Sequence, residues 1–350
     1  MNKNFVILFI GIILSKGLFA QNDTTFSVHY FTPVPKITIF ALAAVNESTV
    51  WFAANRGIWG YTEDAGKTWH IDSIKADTVY PQFRSISVLN DSTVLLLSIE
   101  SPAYLFKTTN KGKTWKLVYK NTNKDIFFDS MVFSDKKDGI AIADPIDGCI
   151  QIIKTNDAGE SWKQADCASL PKAEQGEACF ASSNTNIDAH GKHIWFATGG
   201  MRSRVFHSFD SGNHYEVYDA PLPQGEKMTG IYSVDFVDKN TGVISGGNYD
   251  KNDSTIISLA VTHNSGKTWK PVKKKHPFFG SCVQFRSSDE VFITGMNGTF
   301  SFNIKTEKMI ELKNKSNTEL KFLTLRFAPS GKSVWLAGSK GSIALINLNK

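Results

Sequence analysis

Between Pro81 and Tyr119 the apolar positions fall into four short runs, FRSISVL, STVLLLSI, AYLFKT and TWKLVYK. The first alternates apolar with polar residues, as a strand does, and the other three are short apolar strands. The same order returns along the chain. It predicts seven units, Ile37–Ser73, Pro81–Lys120, Ile126–Ala165, Cys179–Asp219, Gly230–Val272, Phe278–Leu312 and Leu320–Leu348. No stretch has the spacing of an amphipathic helix and no linker divides the chain. The expectation is therefore an all-β protein with residues 21–350 in one domain.

An eight-residue pattern punctuates five of the units: TEDAGKTW at Thr62, TTNKGKTW at Thr108, TNDAGESW at Thr155, SFDSGNHY at Ser208 and THNSGKTW at Thr262. The spacings are 46, 47, 53 and 54 residues, the period of a β-propeller blade. Each copy joins the third strand of a unit to the fourth. The opening Thr or Ser and the third-position Asp64, Asn110, Asp157, Asp210 or Asn264 can accept from turn amides. The fifth-position glycine suits a positive φ, and the closing aromatic can wedge between blades. These five Asp and Asn residues are read as structural. The seventh unit has only three strands, so FSVHYF (Phe26–Phe31) is expected to complete it and close a seven-bladed ring without an open edge.

The pattern S/T-x-D/N-x-G-x-T/S-W resembles the Asp-box, or bacterial neuraminidase repeat, of sialidases, sortilin-type receptors and photosystem II stability and assembly factors. The fourth copy departs from it, with His214–Tyr215 in place of Thr–Trp. FRSI, SIESPAYLFKT, DGIAIADPIDG, GEACFASS, SRVFHS and GGNYD resemble a secreted bacterial branch of the assembly-factor-like propellers, often labelled "oxidoreductase". That label finds no support: no GxGxxG fingerprint opens a helix after a strand, and no redox cysteine pair is present. The resemblance implies a propeller that binds or chaperones a partner protein. A fold shared by many activities implies no particular chemistry.

Residues 1–20 combine a basic start, the apolar run FVILFIGIIL and a small residue, Ala20, before Gln21. This reads as a signal peptide and predicts a periplasmic or extracellular protein with no membrane span after removal; an N-terminal anchor is the alternative. Removal takes away Lys3 and Lys16 and no acid, lowering the net charge from +6 to +4. So mild a charge, with Lys273–Lys275 as the one tight basic run, argues against a nucleic-acid partner. Cys149, Cys167, Cys179 and Cys282 form no CxxC pair. Cys149 and Cys167 fall nearly opposite each other across the Thr155–Trp162 turn, so a bridge between them is open to test. Cys282 reads as a buried strand residue.

In a propeller, loops alternate between two faces. The repeated turns share one; the second-to-third strand loops and the openings of the innermost strands share the other. That second face is expected to carry Arg56, Arg84, Arg202 and Arg204, four of the six arginines in the chain. Glu100, Asp129, Asp144, Tyr232, Asn248 and Tyr249 join them, and the fourth innermost strand is expected to open at Gly176–Cys179 with Glu177. Arginine forks suit anion recognition; ordinary pairing with the nearby acids is the competing reading. The expected function is a monomeric ligand- or protein-binding and assembly module, taking a protein segment or an anionic or glycan ligand. The alternative is a glycoside hydrolase drawing two carboxylates from Glu100, Asp129, Asp144 and Glu177. A sialidase-like site would also call on Arg286 or Arg326, yet PQFRSI lacks the F/Y-R-I-P signature. Catalysis is the less favoured reading. His190 and His193 read as a surface turn, the Asn248–Asp253 loop lacks calcium-loop spacing, and no metal or cofactor is expected.

Overall fold

The computed structural model describes residues 26–251, 257–273, 277–314 and 316–348. The signal-peptide reading, Asn252–Asp253 and the end of the 273–275 basic run lie outside them. Among the described residues there are seven β-sheets. Their innermost strands are Ile39–Ala44, Phe83–Val88, Phe128–Phe133, Ile187–His190, Thr229–Phe236, Cys282–Phe285 and Thr324–Phe327. Each packs on the next, and the last packs on the first. The chain is an all-β, seven-bladed propeller.

Burial follows from that arrangement. The middle strands of a blade touch a neighbouring blade on each face, so Val94–Ser98 and Ala103–Thr108 are buried throughout. The outermost strand His70–Ser73 is exposed along its length. Ring closure occurs as the sequence predicts. Phe26–Phe31 runs antiparallel to Ile343–Leu348, from Phe26 opposite Leu348 to Phe31 opposite Ile343, and supplies the fourth strand of the last sheet.

The five repeated turns are built alike. The first-position hydroxyl accepts from the glycine N–H, as in Gly66 N to Thr62 Oγ1 at 2.9 Å and Gly266 N to Thr262 Oγ1 at 3.1 Å. The third-position side chain accepts from the amide four residues on, including the divergent copy, where His214 N donates to Asp210 Oδ1 at 2.9 Å. Residue four of each turn donates to the first-to-second strand turn of its own blade, as Ala65 does to Ser48 and Lys111 to Ser92. The turns therefore sit at the end of the ring where innermost strands finish. Their aromatics do wedge between blades: Trp115 meets Trp59 of blade one at 5.1 Å, edge to face. Cys149 and Cys167 are joined in a disulfide. Cys179 and Cys282 are free and buried.

Blade four differs from the expectation. Its innermost strand is Ile187–His190, not a strand opening at Gly176. Glu177–Ala178 pairs instead with Gly199–Gly200, at the edge of the blade-five sheet. The residues between them, Cys179–Asn186, enter the central channel. The reason is compositional: Ser182-Ser183-Asn184-Thr185-Asn186 offers hydroxyls and amides but no apolar alternation for a blade to bury.

Candidate functional site at the bulged end of the channel

In four blades the innermost strand skips one residue in its pairing, between Ile39 and Ala41, Phe83 and Ser85, Phe128 and Ser130, and Ile231 and Ser233. The skipped residues are Phe40, Arg84, Asp129 and Tyr232. A bulge re-aims the side chain it displaces, so four blades present one side chain each at equivalent positions around the axis. These positions open the innermost strands, at the end opposite the repeated turns.

The channel behind this rim is plugged. Asn184 accepts from Ser85 Oγ at 2.5 Å and donates to Ile86 O at 3.1 Å. The Asn186 amide oxygen accepts from Ser130. Thr185 accepts from Ser233 Oγ at 2.8 Å, and Ser183 donates to Ser281 O at 2.7 Å. Two arginines hold the plug from its two ends. Arg84 donates to Ala181 O at 3.1 Å, and Arg326 donates to Asn184 O at 2.9 Å. Short polar side chains can satisfy the exposed backbone edges of a channel, although the buried Asn186 Nδ2 has no partner among the described residues.

At the rim, the Arg84 guanidinium lies 4.2 Å from the centre of the Phe40 ring, a cation–π contact. Tyr232 is buried and stacks face to face on Phe180 at 4.1 Å, with its hydroxyl on Met228 O. Tyr249 stands above them, 40% exposed. Arg56 is exposed beside Tyr80 and Gln82. The other two arginines of the expected cluster are engaged with acids. Arg204 donates through Nε and Nη2 to Glu177, whose side chain is fully enclosed, and Arg202 pairs with the exposed Asp219 at 2.6 Å. Asn248 bonds Glu226, and Glu100 is exposed. Arg286 pairs with Glu290 and Arg326 serves the far end of the plug, so neither converges with Arg84.

The carboxylates sort by environment. Glu177 is spoken for by Arg204 and Thr198. Asp144 occupies a second bulge, between Ala143 and Pro145, and its Oδ1 accepts from Cys179 N at 2.8 Å. Asp129, Asp144 and Cys179 bring one carboxylate or thiol atom each within 4.8 Å of one another. Burial, then the charge of Asp144, drive the Asp129 carboxyl well above its ordinary range, and burial pushes Asp144 up to about 6. Burial likewise raises the Cys179 thiol. Although the Asp129 and Asp144 oxygens are close, Asp129 is only 1% exposed, and no sugar ring fits between them.

The opposite mouth is a depression of about 470 Å³ lined by Leu42, Val88, Phe133, Asp188, Asp235, Gln284 and Arg326. Its polar side chains tie blade to blade. Asp188 accepts from Phe236 N, Asp235 from Phe285 N and Gln284 from Phe327 N, at 2.6–2.8 Å.

The frame is shared with solved structures. YCF48 bound to D1 peptide superposes with a TM-score of 0.68 at 13% identity, over 92% of this chain and 97% of that one. YCF48 from Cyanidioschyzon merolae gives 0.63 at 12%, over 92% and 99%. The Pan2 WD40 domain of Neurospora crassa gives 0.57 at 13%, over 90% and 97%. No family model and no curated protein matches the sequence. These likenesses establish the propeller fold.

Two features escaped the sequence reading but had a signal there. The bulges share a tetrapeptide of apolar residue, displaced residue, Ala or Ser, and apolar residue: IFAL, FRSI, FDSM and IYSV. The plug is the five-residue polar run SSNTN where an apolar strand should begin. Phe40 and Phe180 carry no local mark of their roles.

Proposed function

We propose that this chain is a protein-binding or assembly module that seats an extended partner segment on the bulged face. The observation that carries the reading is the distribution of exposed large apolar side chains. Val79, Tyr80, Met201 and Tyr249 are each 40–51% exposed, and all four lie on loops of this face. The exposed Arg56 stands beside Tyr80 among them. Apolar anchors beside guanidinium groups suit a peptide with aromatic or aliphatic and acidic residues. YCF48, which shares the frame, is bound to a D1 peptide in its solved structure; that likeness supports a peptide over a small ligand. The proposal includes export directed by residues 1–20, the Asp-box nature of the five turns, and a monomer acting in the periplasm or outside the cell. The enclosed Asp129 and the Arg204-bound Glu177 give no support to glycan hydrolysis.

The test is an array of acidic, aromatic-bearing peptides probed with the purified protein. Arg56→Ala and Tyr249→Ala should each weaken capture about tenfold, in a salt-sensitive way for the arginine. Phe209→Ser, on the opposite face, should leave it unchanged. Capture that survives both rim changes, or that Phe209→Ser abolishes, would overturn the reading.

A further inference from the structure

We infer that Asp129, Asp144 and Cys179 form a binding site for one divalent cation of the zinc class. The inference is independent of the peptide reading, because none of the three groups is among the exposed side chains that seat the peptide.

Two adjacent strands of blade three each bulge, at Asp129 and at Asp144, and the chain delivers Cys179 against them as it leaves the Glu177–Ala178 strand. The Cys179 N–H fixes Asp144 through Oδ1. The three donor atoms lie within 4.8 Å of one another. Ligands about 2.0–2.3 Å from a tetrahedral zinc ion stand roughly 3.3–3.8 Å apart, so side-chain rotation that draws the three groups together by up to about 1 Å or more closes the set.

The second observation is Asp129 itself. It is 1% exposed, and neither carboxylate oxygen has a hydrogen-bond partner among the described residues. A buried polar side chain is ordinarily hydrogen-bonded or on a metal. Arg84 does not fill that role by contact: it donates to Ala181 O and lies on the Phe40 ring, its Nε has no hydrogen-bond partner, and it acts on Asp129 only through its charge, with no ion pair between them among the described residues. Donor chemistry narrows the ion. A thiolate disfavours magnesium and calcium, and two carboxylates disfavour copper(I); zinc and its cobalt(II) surrogate accept both. Binding releases the Cys179 thiol proton and the Asp129 carboxyl proton to solvent.

The full chain, stripped with chelator, is titrated with zinc against a chromophoric competitor, and separately with cobalt(II). The expected results are one zinc per chain, a rise in melting temperature, and a thiolate-to-cobalt charge-transfer band. Cys179→Ala and Asp129→Asn should each weaken zinc binding more than about 100-fold and remove the band. Cys282→Ala, at the other buried free thiol, should change neither. Should Asp129→Asn fail to fold, Cys179→Ala decides alone. Absence of stoichiometric zinc binding, binding undiminished in Cys179→Ala, or preference for calcium or magnesium would each overturn the assignment.

Discussion

The Ser85 hydroxyl donates to the Asn184 side chain at 2.5 Å across a separation of 99 residues. That bond joins blade two to a segment that belongs to no blade. Asn184 also accepts from Met131 N at 3.3 Å and donates to Ile86 O, so one side chain spans two blades. Its φ of 58° is one that asparagine tolerates better than most residues. Asn184→Ala should lower stability by about 3 kcal/mol, since it leaves buried partners unsatisfied. Urea denaturation measures it, and a loss below about 1 kcal/mol would show that the plug is dispensable.

The arginines separate by burial. Glu177 has no exposed side-chain surface, whereas Arg202 and Asp219 are 41% and 70% exposed. Removing Arg204 strands a buried carboxylate, so Arg204→Ala should destabilise by about 3–5 kcal/mol. Arg202→Ala should change stability by less than about 1 kcal/mol. Equal effects in thermal melts would refute this division of roles.

Gly112 has a φ of 79°, and a Cβ there would lie 2.1 Å from the Trp59 ring. Gly191 has a φ of 58° with nothing within 4 Å. Gly112→Ala should therefore cost about 3 kcal/mol or more and Gly191→Ala about 1 kcal/mol. The difference isolates inter-blade packing from backbone strain.

His207 is 3% exposed, stacks on Trp195 at 4.8 Å and shares a hydrogen bond with His193. Burial, and then His193, lower its pKa to about 4. Below the ordinary value near 6.5 the unfolded chain takes up a proton that the folded chain refuses. Stability should then fall as pH drops from about 6.5 to about 4, by about 2 kcal/mol after allowance for solvent screening on the His193 side. His207→Phe keeps the stack and should flatten that part of the pH–stability curve; an unchanged slope would assign it elsewhere.

Much of the architecture is written locally. The five Gly-bearing turns at blade spacing, and the spare strand Phe26–Phe31 opposite a three-stranded last unit, rest on short-range hydrogen bonding and on edge closure. The site was legible only in part. Arg84, Asp129 and Tyr232 were visible as the openings of innermost strands, but their common cause, a bulge, needs the partner strand's register. Arg204 and Glu177 read as site candidates, with pairing to nearby acids as the competing reading; they are a buried pair, and nothing in either residue's neighbourhood along the chain records the other.

The sequence by itself determined the number of units, the turns that clamp them and the closing strand, since each depends on residues within one hairpin or on period-two burial. Only the tertiary structure decided that Ser182–Asn186 leaves the sheet to fill the axis, and that Asp129, Asp144 and Cys179 meet. Those contacts join groups from different blades and loops, and their free energy comes from enclosure that exists once the ring has closed.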